Sequence, residues 1–521
     1  LRESLELLEG SGPQERSVRA AFERSWLQLS PLQQRVLGHL ALLPQPVDRA
    51  MLRDVVQVPL PAVASLVDRS LVQADGHGRF TLHALIRRQA APHAIDAPQL
   101  LARHAHHTAR RLHGLSRAAR LAQLDTQIEH VRAAWAWALG RPEPTVLAAL
   151  APVFVLNDSE HGPLGGALPA LREAAALLET RLAREDAAGP SAQALAVTLG
   201  EISDLEFRLG NLHGAEQAAR RALALGDAGL HDPLRQTDAL MTLYSVHWQR
   251  GELAEAEAIV PRYREAARAA GSRQREASSY TLAGLTDSAL GRYDSALEHY
   301  LTARRLLEEL GETASLPTVL NNTGSLLRKM KRHAEAIRVL EEGLQWARQH
   351  GAAGPRPSLL ANLAVVHEEI GDHAAMLRTT ERALEAARVV TEPYTLMRAL
   401  LAHGRALARR DGDLAAASAP VWQALRLARR MGSNSDALAC LVSAARIAAL
   451  CGRRDAAVAA LRWVSGRPGL PPVESNAARE ALAALAAPDA DAAADGGEFA
   501  ADADVEEVLA WLAPAPAPGE R

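Results

Sequence analysis

The chain has 521 residues, 48% hydrophobic and 23% charged, with a formal net charge of -3 at pH 7, which excludes both intrinsic disorder and a nonspecific nucleic-acid sleeve. Two cysteines, Cys440 and Cys451, exclude a disulfide scaffold. The only lysines are Lys329 and Lys331, neither preceded by Gly, which excludes a G-x-x-x-x-G-K-[ST] phosphate-binding loop.

Aromatic residues make up 4% of the chain while Ala and Leu abound, a balance that favours helices packed on small side chains. No run of about 18 apolar residues and no signal peptide occurs, so no membrane partner is expected and a cytoplasmic location is. The chain opens on Leu1 in mid-pattern. It is therefore expected to be a piece of a longer protein, with residues 1–15 the end of an upstream helical segment.

Residues 16–95 read as a helix RSVRAAFERSWLQL, an N-cap and N1 pair Ser30-Pro31, and helices LQQRVLGHLALL, DRAMLRDVV and PAVASLVDRS. A hairpin, LVQAD-GHG-RFTLH, follows them. Helices closed by a two-stranded wing predict a winged-helix domain. Direct DNA binding by it is disfavoured, because PAVASLVDRS offers only Arg69, beside Asp68, to base edges.

The segment resembles the winged-helix part of STAND proteins, the signal-transduction ATPases with numerous domains that include the NB-ARC group. Ser25, Trp26, Leu29, Leu43 and Pro44 match, as does the stretch VASLVDRSLVQADGHGRFTLHALIRRQA. His83 stands where the family has its terminal His, with Leu82 in place of the usual Met before it and Ala84 in place of the usual Asp after it. The resemblance implies that His83 senses the β-phosphate of ADP held by an upstream nucleotide-binding domain. ADP or ATP is thus expected only with that domain, and no cofactor is expected in this chain.

Residues 96–189 read as a helical linker and irregular first repeats, with IEHVRAAWAWAL resembling the family's linking helix and Trp135 and Trp137 expected in its core. In HAHHTARRLH, His104 and His107 lie three apart and His106 and His113 seven apart, with no carboxylate or thiol to complete a shell; no metal site is expected.

From residue 190 to 466 a helix, a Gly with a polar neighbour and a second helix recur in fixed phase. The anchors are Gly210, Gly251, Gly291, Lys331, Gly371, Gly412 and Gly452, spaced by 41, 40, 40, 40, 41 and 40 residues. Gly suits a left-handed cap on the first helix (A), and a small residue five positions later lets the second helix (B) approach: Ala215, Ala256, Ala296, Ala336, Ala417 and Ala457, with Met376 once. Tyr244, Gly284, Gly324, Ala364 and Ala445 hold a small-or-aromatic position on helix A. The pattern resembles the tetratricopeptide repeat, with a period near 40 like that of the repeat arrays in bacterial signal-transduction ATPases.

A stack of such hairpins presents its A helices on a concave binding face. Counted back from the anchors, Thr242, Leu282, Asn322, Asn362 and His403 share one position on that face, and Trp248, Ser288, Arg328, Glu368 and Arg409 another. Asn322 and Asn362 are candidates to pair with an extended peptide, and Arg328, Lys329, Arg409 and Arg410 to receive carboxylates, with His403 and Trp248 beside them. The adjacent acidic pairs Glu308-Glu309 and Glu368-Glu369 read as solvated charge.

Residues 467–521 read as a C-terminal cap and flexible tail, with VEEVLAWL expected to dock on the last repeat. The expected fold class is mainly α, an α-solenoid of tetratricopeptide-like helix pairs behind a winged helix. No catalytic constellation appears, so no enzyme activity is expected of the chain. The resemblance implies a regulatory sensor of a STAND-type ATPase: a protein, peptide or small-molecule inducer binds the repeats, which contact the nucleotide-binding domain and lead to transcriptional output. A stand-alone tetratricopeptide scaffold and a DNA-binding regulator are the alternatives.

Overall fold

The computed structural model describes residues 22–115, 117–161, 165–185, 189–227, 230, 232–311, 315–390, 393–431, 433–467, 472–485 and 504–512. They fall into two compact units, up to Val246 and from His247 on. The fold is mainly α, as the composition and period predict.

In the first unit the Pro31–Leu42 helix starts where Ser30-Pro31 places it. Ser30 Oγ accepts the Gln33 N–H at 3.3 Å and Gln33 Oε1 accepts the Ser30 N–H at 2.9 Å, a reciprocal cap that satisfies two otherwise orphaned donors. The other end of the helix is held by Arg87, whose guanidinium donates to the Ala41 and Leu43 carbonyls. The expected helix DRAMLRDVV is instead one α-helical turn, Arg49–Met51, and a π-helical turn, Leu52–Val56, that stops at Gln57 with φ of 60°. Helix Leu60–Asp68 follows.

The sheet has three strands rather than two. Arg79–Thr81 lies between Gln73–Ala74 and Val47–Asp48, antiparallel to both, in a register that sets Phe80 opposite Val47 and Ala74. Two residues between Pro46 and a helix are too short for an alternating pattern, so Val47–Asp48 has no signature in the sequence. Val36, Leu37, Val47, Met51, Val55, Val63, Leu66 and Ile86 bury one core between these helices and the sheet. Helices Ala97–Leu112, Arg117–Leu139, Pro144–His161 and Leu168–Leu182 then build a second core. Trp135 is buried in it as expected, whereas Trp137 is only half-buried, edge-on to His106.

The second unit is a succession of helix pairs: Arg273–Ala289 with Tyr293–Glu309, Leu316–Lys329 with His333–Gln349, Arg356–Glu369 with His373–Val390, Pro393–Asp411 with Leu414–Arg430, and Asn434–Leu450 with Arg454–Ser465. All six anchor glycines have positive φ, between 63° and 86°, and Lys331 adopts the same conformation at 61° without being Gly. Six of the seven anchor caps have the six-to-one hydrogen bond of a Schellman turn, as from Arg292 N to the Asp287 carbonyl at 2.8 Å and from Arg332 N to the Leu327 carbonyl at 2.9 Å, while at Gly412 the glycine N–H meets the Ala408 carbonyl at 3.0 Å. Gly271, Gly311 and Gly351 repeat the device at the ends of B helices.

Each expected B-helix small residue is fully buried, and Met376 is 1% exposed. On helix A the missing side chains matter as much: a Cβ on Gly284 would lie 2.6 Å from the Tyr300 ring and one on Gly324 2.5 Å from Leu340. In the pair with the longer spacing this role falls to Gly404, where a Cβ would lie 2.7 Å from the Ala417 carbonyl oxygen. At the C-terminal end, Val505–Leu512 buries Val505, Val508, Leu509 and Leu512 against the last helix pair. Arg453 fixes it by donating to the Trp511 and Leu512 carbonyls at 3.1 and 2.7 Å.

Candidate functional site

Consecutive A helices in the second unit lie side by side, so residues about one period apart meet. Asn362 Nδ2 donates to Asn321 Oδ1 at 2.8 Å. The asparagine that meets Asn362 is thus Asn321 rather than Asn322, which sits about 100° further round the helix. Both Asn321 and Asn322 are half-buried, as is Asn362. At the same period position Leu282 is buried, 7% exposed, and belongs to the packing.

His403 turns toward helix B of the preceding pair. Thr380 Oγ1 lies 3.1 Å from His403 Nδ1 and 2.9 Å from the Leu377 carbonyl, so the hydroxyl donates to Leu377 and accepts from the imidazole. That assigns the proton to Nδ1 and leaves Nε2 as an acceptor. Burial lowers the His403 pKa below its ordinary value, keeping the ring neutral.

The expected cationic acceptors of ligand carboxylates already have partners inside the chain. Arg328 pairs with Glu369, which also lies 3.5 Å from Lys331 Nζ and 3.8 Å from His333 Nδ1. Arg409 meets Glu368 at 3.4 Å and Arg410 pairs with Asp411. Lys329 Nζ donates to Ser288 Oγ at 3.1 Å, and burial, reinforced by Arg328, lowers its pKa. Glu368 and Glu369 are therefore rungs between consecutive A helices rather than merely solvated charge. Trp248 is half-buried on its own helix.

In the first unit the same count back from Gly210 falls on Glu201, a site that the sequence reading passed over although the anchor was in hand. Glu201 is half-buried and its carboxylate makes no hydrogen bond among the described residues. Desolvation pushes its carboxyl up to about 7, with Asp204 and Asp238 adding to the effect and Arg235 and Arg120 opposing it. The Nε of Arg120 is buried without a hydrogen-bond partner. Thr242 Oγ1 lies 3.3 Å from Ser203 Oγ on the preceding A helix.

His83 caps the Ala84–Ala90 helix: its Nδ1 accepts the Leu85 N–H at 3.3 Å, and its Nε2 has no hydrogen bond among the described residues. The neighbouring histidines form a separate buried chain. His104 Nε2 is 3.0 Å from His130 Nδ1, and His130 Nε2 is 3.0 Å from the Pro46 carbonyl. Burial lowers both pKa values, that of His104 to about 3.

Capped helix pairs with a small-residue seam and a polar A-helix face are the architecture of the tetratricopeptide repeat. Residues 277–349 match the tetratricopeptide repeat family model. Over 343 residues the chain is 29% identical to the regulatory protein AfsR of Streptomyces griseus, a match that spans 63% of this chain and 32% of that protein. In fold it is similar to a signal transduction ATPase with numerous domains (STAND) with a tetratricopeptide repeat sensor from Pyrococcus horikoshii, at 14% identity and a TM-score of 0.57 over 92% of this chain and 65% of that one. The resemblance to the repeat-bearing part of STAND-type regulators is borne out. Among the described residues no single helix is long and apolar enough to cross a membrane.

Proposed function

We propose that the chain is the regulatory sensor portion of a STAND-type signal-transduction ATPase, and that its repeats hold an inducer on the A-helix face. The observation that carries this reading is the chemistry of that face. Asn321, Asn322, Asn362 and the His403 Nε2 supply uncharged donors and acceptors, half-buried, between rows of ion pairs already closed on themselves. Such a face suits a peptide backbone or a neutral polar metabolite better than an acidic one, since a ligand carboxylate would have to displace Glu368 or Glu369.

In this reading residues 16–95 are a winged helix, 96–189 a linker, 190–466 the sensor array and 467–521 its cap and tail. The module is not itself an enzyme. Inducer binding changes how the array contacts an upstream nucleotide-binding domain, and the output is transcriptional. His83 is the residue that would meet ADP phosphate there, and its unused Nε2 supports that role. Duplex DNA is a poor partner for the N-terminal module, because helix Leu60–Asp68 carries no basic or amide side chain. A cytoplasmic location fits this role. The alternative, a stand-alone scaffold, draws support from the ion pairs that tie consecutive A helices into a fixed surface.

The test is a thermal-shift screen of the 521-residue chain against polar metabolites and a peptide library, followed by calorimetry. A ligand at 100 times its Kd adds about 2.7 kcal/mol of stability. A saturable neutral or peptidic ligand is the expected result; ligands found only among polyanions would contradict the reading.

A further inference from the structure

The first unit holds a second constellation, one that includes neither His83 nor any residue of the repeats. A cavity of about 380 Å³ is lined by Arg49, His77, Gly78, His107 and Arg111, with Asp48 on its wall. Three elements converge there: the turn after strand Val47–Asp48 brings Arg49, the hairpin tip brings His77 and Gly78, and helix Ala97–Leu112 brings His107 and Arg111, one turn apart. The hairpin tip is fixed by Asp75, whose Oδ1 accepts the N–H groups of His77 and Arg79, both at 2.9 Å. Gly78 sits at φ of 74°, and a Cβ there would lie 2.8 Å from Arg49 Nε, so the glycine makes room for the guanidinium across the cavity mouth.

The donors are arranged with capacity to spare. The Arg49 side chain has no ion pair or hydrogen bond among the described residues, although its backbone carbonyl accepts the Leu52 N–H. Arg111 places Nη1 on Asp48 and Nε on Gln123, which leaves Nη2 uncommitted. Both carboxylate oxygens of Asp48 are engaged, Oδ1 accepting the Met51 N–H at 2.9 Å and Oδ2 accepting from Arg111. His107 is only 8% exposed, its Nδ1 lies 3.5 Å from Asp54 Oδ2, and its Nε2 is buried with no hydrogen-bond partner. His107 thus lines the cavity beside two arginines while its buried Nε2 lacks a hydrogen-bond partner, an unmet need that a small shift of the ring toward a bound group would satisfy.

We propose that this cavity binds a phosphate-sized oxyanion, held by the Arg49 and Arg111 guanidiniums and completed by His107 Nε2. The ligand class is inorganic phosphate or the phosphoryl group of a small phosphomonoester. The proposal stands apart from the reading of the repeat face and holds or fails independently of it.

The test uses the full chain titrated with inorganic phosphate and, in parallel, with phenyl phosphate, against sodium chloride of equal ionic strength, by phosphorus NMR line broadening and thermal shift. Saturable phosphate binding that weakens at least tenfold in Arg49→Glu, whose exposed side chain leaves the melting temperature in chloride unchanged, is the expected result. His107→Gln, which keeps a donor and an acceptor, should retain part of the affinity, and His107→Leu should not. Tighter binding of phenyl phosphate than of phosphate would mark an esterified ligand, and equal binding the free ion. No saturable response, or one that Arg49→Glu leaves intact, would overturn the proposal.

Discussion

Asn362 donates its side-chain amide to the side-chain carbonyl of Asn321 on the preceding A helix, at 2.8 Å. The contact spans 41 residues of sequence and ties two repeats through uncharged groups. Asn362 keeps its second N–H and its carbonyl, and Asn321 its two N–H groups, for a ligand. The same face is bounded by the Arg328–Glu369 and Arg409–Glu368 pairs, so the repeat spacing sets both the polar centre and its charged margins.

The close approach of helix A to helix B at Gly404 makes a sharp stability prediction. Gly404→Ala drives a methyl onto the Ala417 carbonyl oxygen, which is backbone and cannot swing aside, so a loss of about 1–3 kcal/mol is expected in chemical denaturation. Gly200→Ala is the control: nothing lies within 4 Å of its Cβ position, and helix propensity alone should give a gain of up to about 1 kcal/mol. Equal effects of the two substitutions would contradict the packing account.

Lys331 takes the left-handed turn that Gly fills at the other anchors, with φ of 61°. Lys331→Gly should therefore stabilise the chain by roughly 1 kcal/mol. The lost pair with Glu369 offsets little of that, since the lysine side chain is 73% exposed. A lowered melting temperature would show that the pair outweighs the backbone strain.

Acid should weaken the first unit through its buried histidines. His104 is neutral in the fold, with a pKa lowered to about 3, while in the unfolded chain it takes up a proton near 6.5. Stability is then fully present above pH 6.5 and is lost as pH falls toward 3, on the order of 2 kcal/mol by pH 4.5 from this residue. His104→Gln keeps a group able to bond His130 and should flatten the dependence. An unchanged slope between pH 7 and 4.5 would contradict it.

Glu201 has the opposite sign. Its carboxyl is raised to about 7 from an ordinary 4.5, so its contribution is present below pH 4.5 and is lost as pH rises through 7. Glu201→Gln should accordingly stabilise by on the order of 1–3 kcal/mol at pH 8 and hardly at all at pH 4. Denaturation of the natural chain and of Glu201→Gln at pH 4 and pH 8 decides it, and an equal effect at the two pH values would contradict the assignment.

What the sequence makes legible is whatever repeats or acts locally. The anchor glycines, the buried alanines and the Ser30 cap follow from spacing and from contacts three to five residues long. The partners of the face residues do not. Asn321, Glu368 and Glu369 acquire their roles from helices about 40 residues away, and a one-residue difference in helix phase separates Asn321 from Asn322. Val47–Asp48 is a strand only because Arg79–Thr81 lies beside it. His104 and His130, 26 residues apart on two helices, look like unrelated histidines until the helices pack.

The measurement that bears most directly on the central claim is the binding isotherm of the tightest ligand from the screen, compared between the natural chain and Asn321→Ala with Asn362→Ala. If the A-helix asparagines hold the inducer, affinity falls at least tenfold, about 1.4 kcal/mol, while Arg49→Glu in the N-terminal module leaves it unchanged. An isotherm indifferent to both asparagines would contradict the account and leave the pair as a structural tie between repeats.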